Sequence, residues 1–76
     1  MRSILKTARY QKGLTQKQIA NELGITTRMY RYIETGDRNG SLVLWDKLED
    51  ILDIPQRQLR VHSEEYQLYE NQKPKN

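Results

Sequence analysis

The sequence predicts an all-α domain, a small bundle of five short helices, and three observations indicate this. Apolar residues recur at intervals of three and four along five segments. Gly13, Gly24 and Gly36 each follow the last apolar residue of a segment, where a glycine commonly ends a helix. Residues that cap helix N-termini precede three of the segments. With 76 residues and no cysteine, such a domain must be stabilised by its core rather than by disulfides.

The first helix is expected from about Ser3 to Lys12, and Gly13 ends it. Its predicted inner face consists of Ile4, Leu5 and Ala8. Its remaining surface is basic and includes Arg2, Lys6, Arg9 and Lys12.

The second helix is expected to begin after Thr15 and to end at Gly24. Thr15 and Gln18 have the spacing of a capping box, in which each side chain binds the backbone N–H of the other residue. The predicted buried residues of this helix are Ile19, Ala20 and Leu23.

The third helix is expected from Thr27 to about Glu34, with Thr26 as its N-cap. Side chains placed at about 100° per residue divide it into two arcs. The polar, cationic arc consists of Thr27, Arg28, Arg31 and Tyr32, and the apolar arc of Met29, Tyr30 and Ile33. Such a helix, presented after a tight turn, fits the major groove of DNA. A solvated outer face in any small bundle is the alternative.

The fourth helix is expected after the turn at residues 37–40, with Ser41 as N-cap and an end near Asp53. Its core residues are Leu44, Leu48, Ile51 and Leu52. Trp45 lies beside acidic residues, which favours packing over base stacking.

A short fifth helix is expected over Pro55–Arg60. The folded domain is assigned to residues 1–61 and a C-terminal tail to residues 62–76. Residues 64–69 could extend a helix, whereas residues 71–76 have the composition of a disordered segment.

Positive charge is concentrated in the first half of the chain, although the formal net charge is only +3. Residues 1–38 hold eight Lys or Arg and three Asp or Glu, whereas residues 39–70 hold three and seven. A basic half that contains the polar arc is expected if that half faces phosphates. A chance asymmetry of a mixed surface is the alternative.

Enzymatic and membrane functions find little support in the sequence. The sequence has a single histidine, His62, which is expected to be an exposed polar residue. It has no cysteine and no glycine-rich phosphate loop. We therefore predict no catalytic site, no metal site and no cofactor. No apolar run reaches membrane-spanning length and no signal-peptide core is present. We therefore expect a cytoplasmic protein.

Over about residues 2–60 the chain resembles the Cro/C1-type helix-turn-helix family of phage and bacterial repressors. The residues that carry the resemblance are Leu14-Thr15-Gln16, Ile19-Ala20, Leu23-Gly24-Ile25-Thr26, Ile33-Glu34-Thr35-Gly36 and Arg38. The resemblance implies a lambda-repressor-like fold and a homodimer that binds double-stranded DNA sequence-specifically. It also implies a regulator, and we expect a repressor of phage or mobile-element type.

By this resemblance Gln16 contacts the DNA backbone, and Thr27, Arg28 and Arg31 face the bases. The full set of predicted DNA-binding residues is Gln16, Lys17, Thr26, Thr27, Arg28, Arg31, Tyr32 and Arg38. Arg9 and Glu34 match positions that commonly form a structural ion pair.

Two residues depart from the family pattern. Tyr30 occupies a position that is more often aliphatic, so its hydroxyl needs a partner. Gly40 stands where proline is frequent, which predicts a less rigid loop.

Ile54, Leu59 and Val61 are candidates for the dimer contact, and closure of the monomer core is the alternative for all three. Two other functions fit the same domain. It could be a DNA-binding antitoxin, or a protein-interaction module, whose C-terminal half holds a partner protein.

Overall fold

The computed structural model describes residues 1–62, which form five helices and no strand. In chain order these are α1 Ser3–Gln11, α2 Gln16–Leu23, α3 Thr27–Thr35, α4 Leu42–Leu52 and α5 Gln56–Leu59. The prediction of an all-α bundle of five short helices is confirmed. The predictions for residues 63–76 lie outside the described residues. None of the helices formed by residues 1–62 has the length and apolar character to cross a membrane.

A single core holds the helices together. Its largest fully buried side chains include Trp45 and Tyr30, around which leucines and isoleucines from all five helices pack. Trp45 is therefore a packing residue, as predicted. Leu59 is 0% exposed and closes the core of its own chain. This is the position that closure of the monomer core, the alternative given for Leu59, predicts.

The helix ends follow the local sequence. Thr15 Oγ1 accepts from the Gln18 backbone N–H at 3.0 Å, and Gln18 Oε1 accepts from the Thr15 N–H at 2.8 Å, which confirms the capping box. Gly24 has φ +73°, a left-handed conformation that glycine adopts without steric cost. The chain thus turns sharply between α2 and α3.

Two apolar residues are exposed where burial was predicted. Ile4 is 41% and Met29 is 39% exposed. Each immediately precedes a fully buried residue, Leu5 in α1 and Tyr30 in α3, and so points about 100° away from it. The buried face of each helix is therefore rotated relative to its predicted apolar face, since it includes Arg9 in α1 and Glu34 in α3 in place of Ile4 and Met29.

The loop before α4 has a conformation that proline cannot adopt. Gly40 has φ +75°, whereas the proline ring fixes φ near −65°. A Cβ at Gly40 would also lie 2.7 Å from Leu44 Cδ2. The neighbouring Asn39 carbonyl accepts from Trp45 Nε1 at 2.6 Å, which anchors this loop to the core.

Arg2 was predicted to lie on the basic surface of α1, and this was wrong. Arg2 is only 3% exposed. Its Nη1 donates to the carbonyls of Ile33 and, at 2.9 Å, Arg38, and its Nε donates to the Arg60 carbonyl at 3.2 Å. Its guanidinium carbon lies 5.0 Å from the centre of the Trp45 ring. Arg2 thus joins the N-terminus to the ends of α3 and α5.

Candidate nucleic-acid interface

A three-residue turn presents α3 after α2, as the sequence predicted. Thr26 is the N-cap of α3, and its Oγ1 accepts from the Met29 backbone N–H at 3.0 Å. This bond satisfies one of the backbone donors left open at a helix start. Thr26 is itself exposed, and its hydroxyl hydrogen remains available to an outside acceptor.

The polar arc of α3 points outward. Arg28 and Arg31 are exposed, and Thr27 and Tyr32 are half-buried at its edges. Arg28 Nε donates to Tyr32 Oη at 3.2 Å, one helical turn away. Within residues 1–62 no acceptor binds the two terminal nitrogens of Arg28. A guanidinium held in this way presents a pair of donors to a ligand.

The opposite side of α3 is anchored by a buried ion pair. Arg9 Nε lies 2.8 Å from Glu34 Oε2, and Arg9 Nη2 lies 3.2 Å from Glu34 Oε1. Both residues are less than 5% exposed. The structural ion pair expected from the family resemblance is confirmed, and it ties α1 to α3 by two parallel hydrogen bonds.

The Tyr30 hydroxyl donates to Glu34 Oε2 at 2.8 Å. The sequence analysis expected this hydroxyl to need a partner, and the partner is the carboxylate of the ion pair. Burial raises the pKa of Tyr30, and the Glu34 charge raises it further. The hydrogen bond to Glu34 raises the pKa of Arg9. For Glu34 burial alone would raise the pKa, but hydrogen bonds from Arg9, Tyr30 and Gln16 outweigh it and leave the pKa lowered. The charged state of the pair is therefore the stable one.

Gln16, predicted to contact the DNA backbone, also joins this network. Its Nε2 donates to Glu34 Oε1 at 3.2 Å, so the sequence prediction missed its intramolecular partner. Within residues 1–62 no donor binds its amide oxygen, and its neighbour Lys17 is exposed. This contact could not be predicted from local sequence patterns, because Gln16 and Glu34 lie 18 residues apart.

The starts of α2 and α3 border one depression of about 740 Å³ together with α1. Its lining includes the predicted DNA-binding residues Gln16, Lys17 and Thr27. Lys6 and Tyr10 of α1 line it too, and Lys6 Nζ lies 5.9 Å from the centre of the Tyr10 ring. The sequence analysis did not place Tyr10 at this surface, although residues four apart on a helix are neighbours and Lys6 and Tyr10 have that spacing. The depression extends the cationic surface beyond α3.

Arg38 follows the end of α3 and does not line this depression. It is exposed, and its backbone N–H donates to the Tyr32 carbonyl at 3.2 Å. The predicted DNA-binding residues thus lie at the start of α2, at the start of α3 and along it, and in the loop after it.

The part of the chain that the structure describes contains no group of three or more His, Cys, Asp or Glu side chains placed to hold a metal ion.

Comparison with known protein families agrees with this geometry. The family model described as "Helix-turn-helix" matches residues 5–55, about two thirds of the chain. No curated protein and no solved structure shows significant similarity. The match covers α2, the turn, α3 and α4 completely and most of α1. The chain therefore belongs to the Cro/C1-type helix-turn-helix family and is a DNA-binding regulator.

Proposed function

We propose that this regulator is a sequence-specific repressor that reads the major groove with α3 and binds as a homodimer. The observation that supports it is the division of α3 into two faces. Arg28 and Arg31 are exposed on one face, while Tyr30, Ile33 and Glu34 fix the other in the core. A helix held in this way can place its outer side chains against base edges.

In this proposal the two arginines carry most of the sequence preference. A guanidinium can bind O6 and N7 of guanine with two parallel hydrogen bonds, which is the commonest specific contact in the major groove. Arg28 suits this role because its Nε is bound to Tyr32 Oη, which leaves the terminal nitrogens for the base. Thr27 and Tyr32 border the same face and contribute hydrogen bonds or contacts with thymine methyl groups.

The residues that flank α3 are proposed to bind phosphates. Lys17 and Gln16 lie at the start of α2, Thr26 lies at the start of α3, and Arg38 follows its end. Backbone contacts of this kind set the register of the protein on the duplex without reading sequence. The backbone carbonyl of Arg38 accepts from buried Arg2, which supports a fixed position for this contact.

A homodimer would place two copies of α3 about 34 Å apart, one turn of the duplex. Ile54 and Val61 are half-buried and remain the candidates for the dimer contact. Exposed Ile4 and half-buried Ile54 border a shallow depression of about 230 Å³ between α1 and the turn before α5. A second copy covering it would bury apolar surface that the single chain leaves in water.

Repression follows from occupancy alone, since a bound dimer that overlaps a promoter obstructs polymerase without further contacts. The phage or mobile-element type of the proposed repressor rests on the family resemblance. We expect the protein to reduce transcription in a purified system from a promoter that overlaps its selected site.

The matched controls are a promoter with the half-sites scrambled and the variant Arg28→Ala. Neither is expected to show reduced transcription at the concentration at which the wild-type protein represses. Equal transcript levels with and without wild-type protein on the intact site would contradict repression, and increased levels would indicate an activator.

A further inference from the structure

We infer that Arg57 and Arg60, at the end of α5, bind backbone phosphates of the duplex and extend the DNA interface beyond α3. The inference rests on the proposed DNA reading by α3. Neither arginine belongs to the helix-turn-helix itself, and both lie in the half of the chain that is acidic overall.

The two arginines border a depression of about 530 Å³ between the end of α5 and the loop after α3. The described residues that line it are Arg2, Asn39, Arg57, Arg60, Val61 and His62. Asn39 directly follows Arg38, a proposed phosphate contact. The depression is therefore next to one end of the surface assigned to DNA.

The charge of this depression is positive. Among residues 1–62 none of the lining residues is acidic, and within the same range Arg57 and Arg60 are exposed and form no ion pair. Two carboxylates of α4 instead bind Gln56. Asp46 Oδ1 accepts from the Gln56 amide at 2.6 Å, and Glu49 Oε2 accepts from its backbone N–H at 3.3 Å. No carboxylate of residues 1–62 thus competes with an external anion for either arginine.

The depression is also preorganised, because Arg2 binds both of its sides. Arg2 Nε donates to the Arg60 carbonyl at 3.2 Å, and Nη1 donates to the Arg38 carbonyl at 2.9 Å. Trp45 Nε1 fixes the Asn39 carbonyl at 2.6 Å. These bonds hold the Arg38 loop and the end of α5 at a constant separation, so that binding an anion between them orders little additional chain.

The anion that matches these features is the phosphodiester of the same duplex. Guanidinium groups bind phosphate oxygens with paired hydrogen bonds. Asn39, which follows Arg38, lines the same depression as Arg57 and Arg60, so we expect a strand whose phosphate meets Arg38 to reach them. Since these two arginines lie off α3, we assign them to the backbone and not to bases, and they should bind all sequences alike.

The experiment compares the full-length variants Arg57→Gln and Arg60→Gln with Lys47→Gln. Lys47 is an exposed cation of α4 that lies outside the depression. Lys47→Gln therefore changes the net charge by the same amount as either arginine variant without changing the depression. Binding to the selected duplex and to a scrambled duplex is measured across a range of salt concentrations. Each phosphate contact contributes about 0.9 to the slope of log K against log salt.

We expect each arginine variant to lower the magnitude of that slope by about 0.9 on both duplexes. Its deficit relative to wild type should then grow about eightfold for each tenfold decrease in salt. Lys47→Gln should leave the slope within error of wild type. Thermal melting of the three variants checks that the fold is retained.

Slopes for Arg57→Gln or Arg60→Gln equal to that of Lys47→Gln would overturn the inference, and so would a loss confined to the selected duplex. Either result leaves the proposed function standing if Arg28→Ala still weakens binding to the selected duplex much more than binding to the scrambled one. A wild-type protein that prefers no duplex would instead contradict the proposed function itself.

Discussion

Glu34→Gln is expected to destabilise the domain by about 3 to 5 kcal/mol, because it leaves the buried Arg9 guanidinium without its counter-charge. Glu34 also accepts from Tyr30 and Gln16, so three donors lose a charged acceptor together. Domains of this size are stable by only about 5 to 15 kcal/mol in total. Urea unfolding followed by circular dichroism measures the change as a lower midpoint.

Glu22→Gln is the matched control, since Glu22 is an exposed residue of α2 and forms no hydrogen bond with residues 1–62. Its effect should stay within about 0.5 kcal/mol. In a double-mutant cycle Arg9→Met and Glu34→Gln should be far from additive, because either change alone already breaks the pair. Additive effects, or a loss for Glu34→Gln no larger than for Glu22→Gln, would show that the pair contributes little.

The same pair makes stability depend on acid. The pKa of Glu34 is lower in the folded protein than its ordinary value of 4.5, so the unfolded chain binds the proton more readily. Its contribution to the free energy of unfolding is complete above the ordinary pKa and is lost as pH falls through the folded pKa. Glu34→Gln should lack this part of the acid dependence, whereas Glu22→Gln should retain it.

Arg28→Ala and Arg31→Ala are each expected to weaken binding to the preferred duplex by about 1 to 3 kcal/mol, or about 5- to 150-fold. Binding to unrelated duplexes should fall much less. Each variant should also relax the preference at one base pair per half-site. The physical reason is that a base left without its bidentate partner loses the discrimination that this contact supplied. Fluorescence anisotropy on the selected site and its single-base variants measures both effects.

Lys17→Ala is the comparison for a phosphate contact and should weaken all duplexes by the same factor. Arg28→Lys should recover little of the preference, since an ammonium group cannot make the paired contact. If an arginine variant weakens binding to all duplexes by the same factor and leaves the sequence preference unchanged, as expected for Lys17→Ala, that arginine contacts the DNA backbone and not a base.

The parts of the fold that sequence predicted are governed by local rules. Thr15 and Gln18 cap a helix three residues apart, and Gly24 ends it, whatever the rest of the chain does. Errors arose where burial depends on which face another helix covers. Ile4 and Leu5 are equally apolar, and only the packing of α1 decides that Leu5 is buried and Ile4 exposed.

The buried polar contacts were harder to predict than the apolar core. Arg2 was predicted to be a surface cation because three of its partners are backbone carbonyls 31, 36 and 58 residues away, and the sequence does not show which carbonyls a side chain will meet. The Arg9–Glu34 pair was expected only through the family resemblance. The outward arc of α3 was predicted from spacing alone, whereas its contact from Arg28 to Tyr32 required coordinates.

Selection of duplexes from a randomised pool, at near-physiological salt so that nonspecific phosphate binding is suppressed, tests the central claim most directly. We predict enrichment of an inverted repeat whose half-sites are centred about one helical turn apart, with a guanine at a fixed position in each half-site. Enrichment of a single half-site would retain base reading by α3 and remove the homodimer. A pool that remains random after selection would contradict sequence-specific DNA recognition by this surface.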